Sequence, residues 1–435
     1  MPRSRALFER AIRLMPGGNT RTTVFTPPHP VYASHGSGCV IVDVEGQARL
    51  DFVNNHTSLI HGHAHPAIVA AVTAQLGRGT AFSMPTEAEI ELAEVILARV
   101  RPLAQIRFTN SGTEATMMAV KAARAHTGRP RIAKFEGAYH GTYDYVEISL
   151  RPGPSDWGPG DAPRGVPTAR GTPEKVREDV VVLPFNDAGA SQRLIERHAG
   201  ELAAVVVDPL PSQIALVPAT LAFLGSLREV TRAHGILLIS DEVMSFRLSY
   251  HGALAAMGVQ PDLLCLGKII GGGLPVGAVA GSSEVMAVFD PRGNGPAVPH
   301  GGTFNANTAT MAAGQAAMEL LTPAALDRLN AMGERLRREA NAALAEIGVP
   351  GQVTGAGSLF RVHMTSRPLS DYRSAVATVP EREAYTRLYR YLLVHGIFIT
   401  STGLGCLSTP MSEAEVDAFI QVFRAALKEE ALRVG

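Results

Sequence analysis

From about residue 104 to residue 268 the chain alternates short, unbroken apolar runs with helix-like stretches. This alternation constrains the fold more than any other feature. IRFTN (106–110) precedes a helix running to about His126, and RIAKF (131–135) follows. VVVLPF (180–185) precedes a helix at 187–198, and LAAVVVDPL (202–210) precedes one near 220–234. GILLISDEV (235–243) and DLLCLGK (262–268) complete the series. Apolar runs without polar alternation suit strands buried on both faces. Alternation with helices predicts an α/β fold with a mostly parallel, helix-covered sheet. At 435 residues the chain can build one large domain and a smaller companion.

The flanking segments read differently. Residues 5–15 form a short helix stopped by Pro16-Gly17-Gly18, and 38–53 alternate around Glu45-Gly46 as a β-hairpin. Residues 66–78 and 86–100 are helical in pattern. The Pro- and Gly-rich stretch 151–173 holds Trp157, the only tryptophan, and reads as a long loop, with a lid over a site preferred to a surface excursion. Beyond residue 323 come a charged helix (324–346), the segment VTGAGSLFRVHM and a helix near 380–395. A last helix carries a Ser412–Glu415 capping box and an apolar face of Val416, Phe419, Ile420, Phe423 and Leu427. The expected division is 1–60 as an N-terminal segment serving the small domain and the active site, 61–322 as the large domain, and 323–435 as a small α+β domain.

Charge excludes some functions. Forty basic and forty acidic residues leave a formal net charge of zero, which offers no global pull toward nucleic acid or an anionic membrane. Cys39, Cys265 and Cys406 are far apart and form no CxxC, so neither a disulfide framework nor a structural zinc site is expected. The opening MPRSRALFERAIRLMPGG lacks a continuous apolar leader core, and no stretch approaches the roughly 18 apolar residues of a membrane span. A soluble cytoplasmic protein is the expectation.

The chemistry starts at Lys268, set in CLGKIIGGGLPVGAVAG (265–281) without a charged neighbour for several positions. Burial depresses a lysine's pKa, and an uncharged amine can form a Schiff base with a carbonyl. Taken alone, a lysine snorkelling to solvent at a strand end is the commoner case. Asp241, ending the strand ILLIS, shifts that balance, because carboxyl ends of central strands face the ligand crevice of open α/β sheets. A Schiff-base lysine with an aspartate points to pyridoxal phosphate, whose ring nitrogen needs an acidic partner. Glu242 faces the other way along the strand and reads as structural. In TNSGTEATMMAVKAARAHTG (109–128), Ser111, Gly112 and Thr113 open a helix and suit a phosphate, although a plain N-cap has the same residues. In FEGAYHGTYDY, Tyr139 could stack on a flat ring and His140 could hydrogen-bond beside it. The three histidines of HGHAHP (61–66) alternate along an extended segment and invite a metal reading. GSG (36–38) and GAGS (355–358) are not a dinucleotide fingerprint.

The motifs RFTNSGTEA, FEGAYHG, SDEVM, LGKIIGGGLPVGA and HGGTFNAN, in this order, resemble the class III (subgroup II) aminotransferases of the pyridoxal-phosphate-dependent fold type I superfamily. The glutamate-1-semialdehyde 2,1-aminomutase branch is nearest, and the likeness runs from MPGGNTR to the C-terminal helix. The resemblance implies that Lys268 carries the cofactor and shuttles protons, Asp241 pairs with the pyridinium nitrogen, and Val243 and Tyr139 sandwich the ring. It implies a phosphate site at Ser111, Gly112 and Thr113, completed by Thr303 from the neighbouring subunit of a homodimer whose active sites lie at the interface. Arg21, after the PGG turn, would bind the substrate carboxylate. The family's GHxHP signature carries no metal, so the resemblance assigns HGHAHP to packing and turn formation and no metal is expected. Three departures stand out: Asp208-Pro209 replaces the usual Glu-Pro, Gln213 occupies the region of an asparagine near the cofactor's phenolic oxygen, and STGLGCLS (401–408) lacks a second arginine. The expected activity is ping-pong amino transfer from an amino acid, of β-amino or D-aryl type, to a keto acid. The alternatives are an intramolecular aminomutase, a nucleotide-binding oxidoreductase and a non-catalytic relative.

Overall fold

The central sheet of the computed structural model has the predicted core and one unpredicted strand. The structure describes residues 2–429. Three strands come first: β1 (Ala33–Ser37), β2 (Val40–Asp43) and β3 (Ala48–Asp51). The large sheet uses β4 (Gln105–Thr109), β5 (Arg131–Phe135), β6 (Val180–Leu183), β7 (Leu202–Val207), β8 (Leu237–Asp241), β9 (Leu263–Gly267) and β10 (Gly277–Gly281). Four short strands follow: β11 (Gln352–Thr354), β12 (Leu359–His363), β13 (Ile397–Phe398) and β14 (Leu404–Cys406).

The large sheet runs β4-β10-β9-β8-β7-β5-β6. From β9 through β6 every pairing is parallel, whereas β10 is antiparallel to both its neighbours. β10 is GAVAG, whose glycines and alanines carry no strand propensity. It forms because small residues are what fit between β4 and β9. All six residues of β7 are buried, as the unbroken apolar run predicts for a strand covered on both faces. The covering helices include Gly112–Thr127, Ala188–Arg197 and Leu221–Ala233, each with a side-chain N-cap from Ser111, Asp187 and Thr220 respectively.

The N-terminal hairpin forms as expected, with β2 antiparallel to β3. It does not stand alone: β13 adds to β3 in parallel, pairing Ile397 with Leu50 and Phe398 with Asp51. This long-range pairing joins the first sixty residues to the last hundred. β11, β12 and β14 form a separate antiparallel sheet, against which the long helix Pro323–Ile347 and the capped helix Glu413–Lys428 pack. Phe52, Phe360 and Phe419 meet edge to face in that core, at centroid separations of 5.2–6.0 Å. The first helix is shorter than its pattern: it spans Pro2–Ala11, and Leu14 and Met15 close turns back onto the Ala11 carbonyl.

The 151–173 loop is not a lid over the predicted site. None of its residues lines the cavity beside Lys268. It is pinned instead by Arg373, which donates to the carbonyls of Trp157, Gly158 and Pro159 at 2.9 Å each and pairs with Glu136 through both carboxylate oxygens. The same guanidinium lies 4.9 Å over the Trp157 ring. Proline and glycine content signals a loop, but it carries no information about which arginine will capture its carbonyls.

Candidate active site

Asp208 follows β7, Asp241 ends β8 and Lys268 follows β9. These strands are adjacent and parallel, so the three side chains emerge at one sheet edge, where open α/β sheets bind ligands. They line a cavity of about 370 Å³. The same cavity is lined by Ser111, Gly112, Thr113, Tyr139, Val243 and Arg21. Eight of the ten predicted site residues therefore converge. Gln213 does not line it; its neighbour Ser212 does. Thr303 is exposed and lines a separate cavity with His300.

The anion end is built by backbone. Ser111 caps the helix by accepting from the Glu114 amide, and the first-turn amides of Gly112 and Thr113 have no intrahelical partner. Two glycines allow this close geometry. A Cβ on Gly277 would lie 2.0 Å from the Ser111 carbonyl oxygen, and one on Gly112 would lie 2.8 Å from Val243. β10 therefore has to be a glycine at 277, where the Ser111 loop crosses it.

The acidic end is organised by His140. Its Nδ1 lies 2.8 Å from Asp241 Oδ2, while Asp241 Oδ1 accepts from the Val243 amide at 3.1 Å. Burial lowers the His140 pKa against the pull of Asp241, so Nδ1 is the donor of an uncharged ring. Its buried Nε2 has no partner among the described residues. Glu242 turns away, as expected, and accepts from the Ala253 and Leu254 amides at 2.5 and 3.0 Å. Burial also lowers the Lys268 pKa, opposed by Asp241 and then Asp208. Burial and the nearby Asp241 push the Asp208 carboxyl up.

This donor set fits pyridoxal phosphate on structural grounds. An amine with a depressed pKa, a carboxylate held by a buried imidazole, and unsatisfied amides at a helix start share one cavity. Tyr139 and Val243 both line it, and Tyr139 is left 43% exposed toward open space. Two of the three histidines of HGHAHP are engaged elsewhere in the fold. His61 is hydrogen-bonded to Thr409 and to the Ala317 carbonyl, its pKa driven down to about 4 by burial, and His63 pairs with Asp51 at 2.7 Å.

A model of the class-III aminotransferases matches residues 24–427. The chain belongs to this family. It is an enzyme of the fold type I superfamily, and its cofactor is pyridoxal phosphate. Among solved structures it resembles an omega-transaminase from Sphaerobacter thermophilus, with TM-score 0.94 and 57% identity over 98% of this chain and 97% of that one. It also resembles a β-phenylalanine aminotransferase from Variovorax paradoxus, with TM-score 0.88 and 37% identity over 98% and 93%. In sequence it is 38% identical to a glutamate-1-semialdehyde 2,1-aminomutase from Methanothermobacter thermautotrophicus over 98% of this chain and 99% of that protein.

A second cavity, of about 510 Å³, opens beside the first and shares Arg21, Asn55 and Gly273 with it. The turn that divides the two lies in 54–60, one of the stretches expected from sequence to shape the donor pocket, but its backbone was not foreseen. Asn54, Asn55, His56 and Thr57 all have positive φ, between 46° and 74°. Left-handed backbone costs a non-glycine residue roughly 1–2 kcal/mol, less for asparagine, and persists only where the surroundings impose it. Here the Asp51 carboxylate accepts from the Val53 and Asn54 amides, Asn54 Nδ2 donates to the Cys406 carbonyl, and Arg247 donates to the Thr57 carbonyl. Asn55 Oδ1 then accepts from Arg21 Nη1 at 2.8 Å. The Asn-Asn pair in DFVNNHTS was the one available signal, since asparagine tolerates this conformation.

Proposed function

We propose that this class-III aminotransferase moves an amino group from a carboxylate-bearing amino donor with an apolar or aryl side chain, of β-amino or D-aryl type, to a keto acid. The observation that carries the reading is the position of Arg21, whose guanidinium borders both the Lys268 cavity and the second cavity. A carboxylate held there would leave the donor's amine facing Lys268 and its side chain facing a wall that includes Val24, Leu59, Phe398 and Ile399. The β-phenylalanine aminotransferase among the structural relatives supports this choice.

When bound, pyridoxal phosphate supplies an electrophilic carbon and an electron sink for the electrons released at the donor's nitrogen-bearing carbon. The amides of Gly112 and Thr113, with the hydroxyls of Ser111 and Thr113, are assigned to its phosphate. Val243 and Tyr139 are assigned to the two faces of its ring. Asp241 is assigned to its ring nitrogen, with His140 holding the carboxylate in place. Lys268 would hold the cofactor and, as a free amine, would accept the proton from the donor's nitrogen-bearing carbon and return it on the other side of the transfer. Its depressed pKa keeps more of the amine unprotonated for that work. Gln213 keeps only an indirect place beside Ser212.

We assign Thr303 to the phosphate site of a neighbouring subunit in a homodimer. Exposed Phe82, Met84 and Ile90 line the same cavity as Thr303, and an apolar rim of this kind supports a subunit contact. A division at residues 60 and 322 is supported by the β3–β13 pairing, with 430–435 outside the described residues. No helix among the described residues is long and apolar enough to cross a membrane, and the three cysteines are unpaired, which supports a cytoplasmic setting.

The second reading, an intramolecular aminomutase, is favoured by the sequence relative from Methanothermobacter thermautotrophicus. A visible spectrum of the holoenzyme separates the two. Bleaching by β-phenylalanine and recovery with pyruvate or 2-oxoglutarate supports the transferase. Turnover of glutamate-1-semialdehyde without any keto acid, and no response to β-phenylalanine, replaces it with the aminomutase.

A further inference from the structure

The left-handed turn 54–57 presents a residue that the chemistry above does not use. Asn55 is committed to Arg21. His56, next to it, lines the second cavity together with Val24, Leu59, Phe398 and Ile399. No hydrogen bond from a described residue acts on its ring, whereas the cavity's other histidine, His63, is bonded to Asp51. A half-buried imidazole without a hydrogen bond from a described residue therefore stands in a largely apolar wall.

Its charge state suits that place. Burial first, then the cations of Arg21 and Lys268, hold its pKa below the ordinary value, with Asp51 opposing. The ring is uncharged near neutral pH. An uncharged flat ring can lie against an aryl group without the desolvation cost an ammonium or carboxylate would bring. The turn that positions it is fixed from both sides: Asp51 accepts from the Val53 and Asn54 amides, and Arg247 donates to the Thr57 carbonyl. The ring is thus carried on imposed backbone rather than on a mobile loop.

We propose that His56 is a specificity-determining residue, the wall of the second cavity against which the donor's flat apolar side chain seats while Arg21 holds its carboxylate. The proposal rests on the amino-transfer reading for the identity of the donor, and on the cavity alone for the binding preference. His56 takes no part in the proton transfers, so its removal changes recognition and leaves the chemical step intact.

The test uses the holoenzyme and two ligands that cannot transfer an amine, 3-phenylpropanoate and propanoate, with binding measured by calorimetry. The unaltered protein is expected to bind 3-phenylpropanoate at least tenfold more tightly. His56→Ala should reduce that ratio about tenfold by weakening the aryl ligand alone, while His56→Phe should keep it. With β-phenylalanine and β-alanine as donors, His56→Ala should raise KM for the first and leave its kcat unchanged. Equal weakening of both ligands, an unchanged ratio in His56→Ala, or a ratio lost in His56→Phe would overturn the proposal. If His56→Ala does not fold, the His56→Phe result decides. An amino-transfer reading that is wrong shows itself separately, as absence of donor turnover in the unaltered protein with the ligand ratio still measurable.

Discussion

The two cavities that meet at Arg21 are built in opposite ways. The first is set at the ends of adjacent parallel strands, and its reactive groups follow those strands directly: Asp208, Asp241 and Lys268. Its wall is made close by glycines. The second is assembled from segments nearly 350 positions apart, with His56 and Leu59 on one side and Phe398 and Ile399 on the other. It depends on a backbone turn that is unfavourable by itself. The contrast separates chemistry from recognition. A reacting amine and its partner acid need fixed distances, which regular strands supply. A side-chain pocket needs only shape, which irregular segments can alter without disturbing the sheet.

Substitutions in the two regions should therefore read out differently. Lys268→Ala should lower kcat by about a thousandfold or more and remove the covalent cofactor link, seen as loss of its visible band after dialysis. A variant that keeps the band and the rate would dissolve the assignment of the first cavity. Burial lowers the pKa of the Lys268 amine, which is free only after the donor displaces it, so kcat rather than kcat/KM should fall as that amine protonates toward acid pH.

Asp241→Asn should lower kcat by about a hundredfold, with KM for the donor little changed. Arg21→Ala should do the reverse. A lost charge-assisted pair is worth about 1.5–3 kcal/mol, so KM for carboxylate donors should rise roughly 10- to 100-fold at near-constant kcat. An unchanged KM would detach the second cavity from the first.

Gly112→Ala would place a Cβ 2.8 Å from Val243. Cofactor affinity should fall about tenfold, read by fluorescence titration, with side-chain preference untouched. The last effect is on stability rather than on activity and concerns the support beneath the first region. Lys134, fully buried in β5, donates to the Ile148 carbonyl at 2.7 Å, and burial drives its pKa down to about 7 from 10.5. The unfolded chain binds this proton more tightly than the folded one. Stability should therefore gain as pH rises from about 7 toward 10.5, by at most about 1.4 kcal/mol per unit, and be depressed below that window. Lys134→Met should flatten this slope in urea midpoints taken at neutral and alkaline pH. An equal slope in the variant would assign the pH response elsewhere.

The legibility of each region follows its construction. VVV, LLI and LLCLG are apolar without interruption because both faces of those strands are covered, so a mostly parallel sheet and its crevice side could be read before any coordinates, though not the strand order. Asp241 and Lys268 were identifiable because each directly follows such a run. β10 was not, since four of the five residues of GAVAG are glycine or alanine and the strand owes its conformation to the neighbours it fits between. The reading of 151–173 as a lid failed for a related reason: Arg373, more than 200 positions away, captures the loop's carbonyls. The stretch 54–60 was readable as pocket-shaping, but the place proposed for His56 within it was not, because that place depends on a left-handed φ imposed by Asp51, Cys406 and Arg247.

By itself, then, the sequence determined the α/β class, the family, the cofactor and the residues that follow each central strand, because local periodicity and short motifs suffice for them. Tertiary structure alone decided the antiparallel β10, the pinned loop, the junction at Arg21 and the side-chain cavity. Each of these arises from contacts between residues distant in sequence, where a hydrogen bond or a missing Cβ is decided by the partner and not by the neighbour.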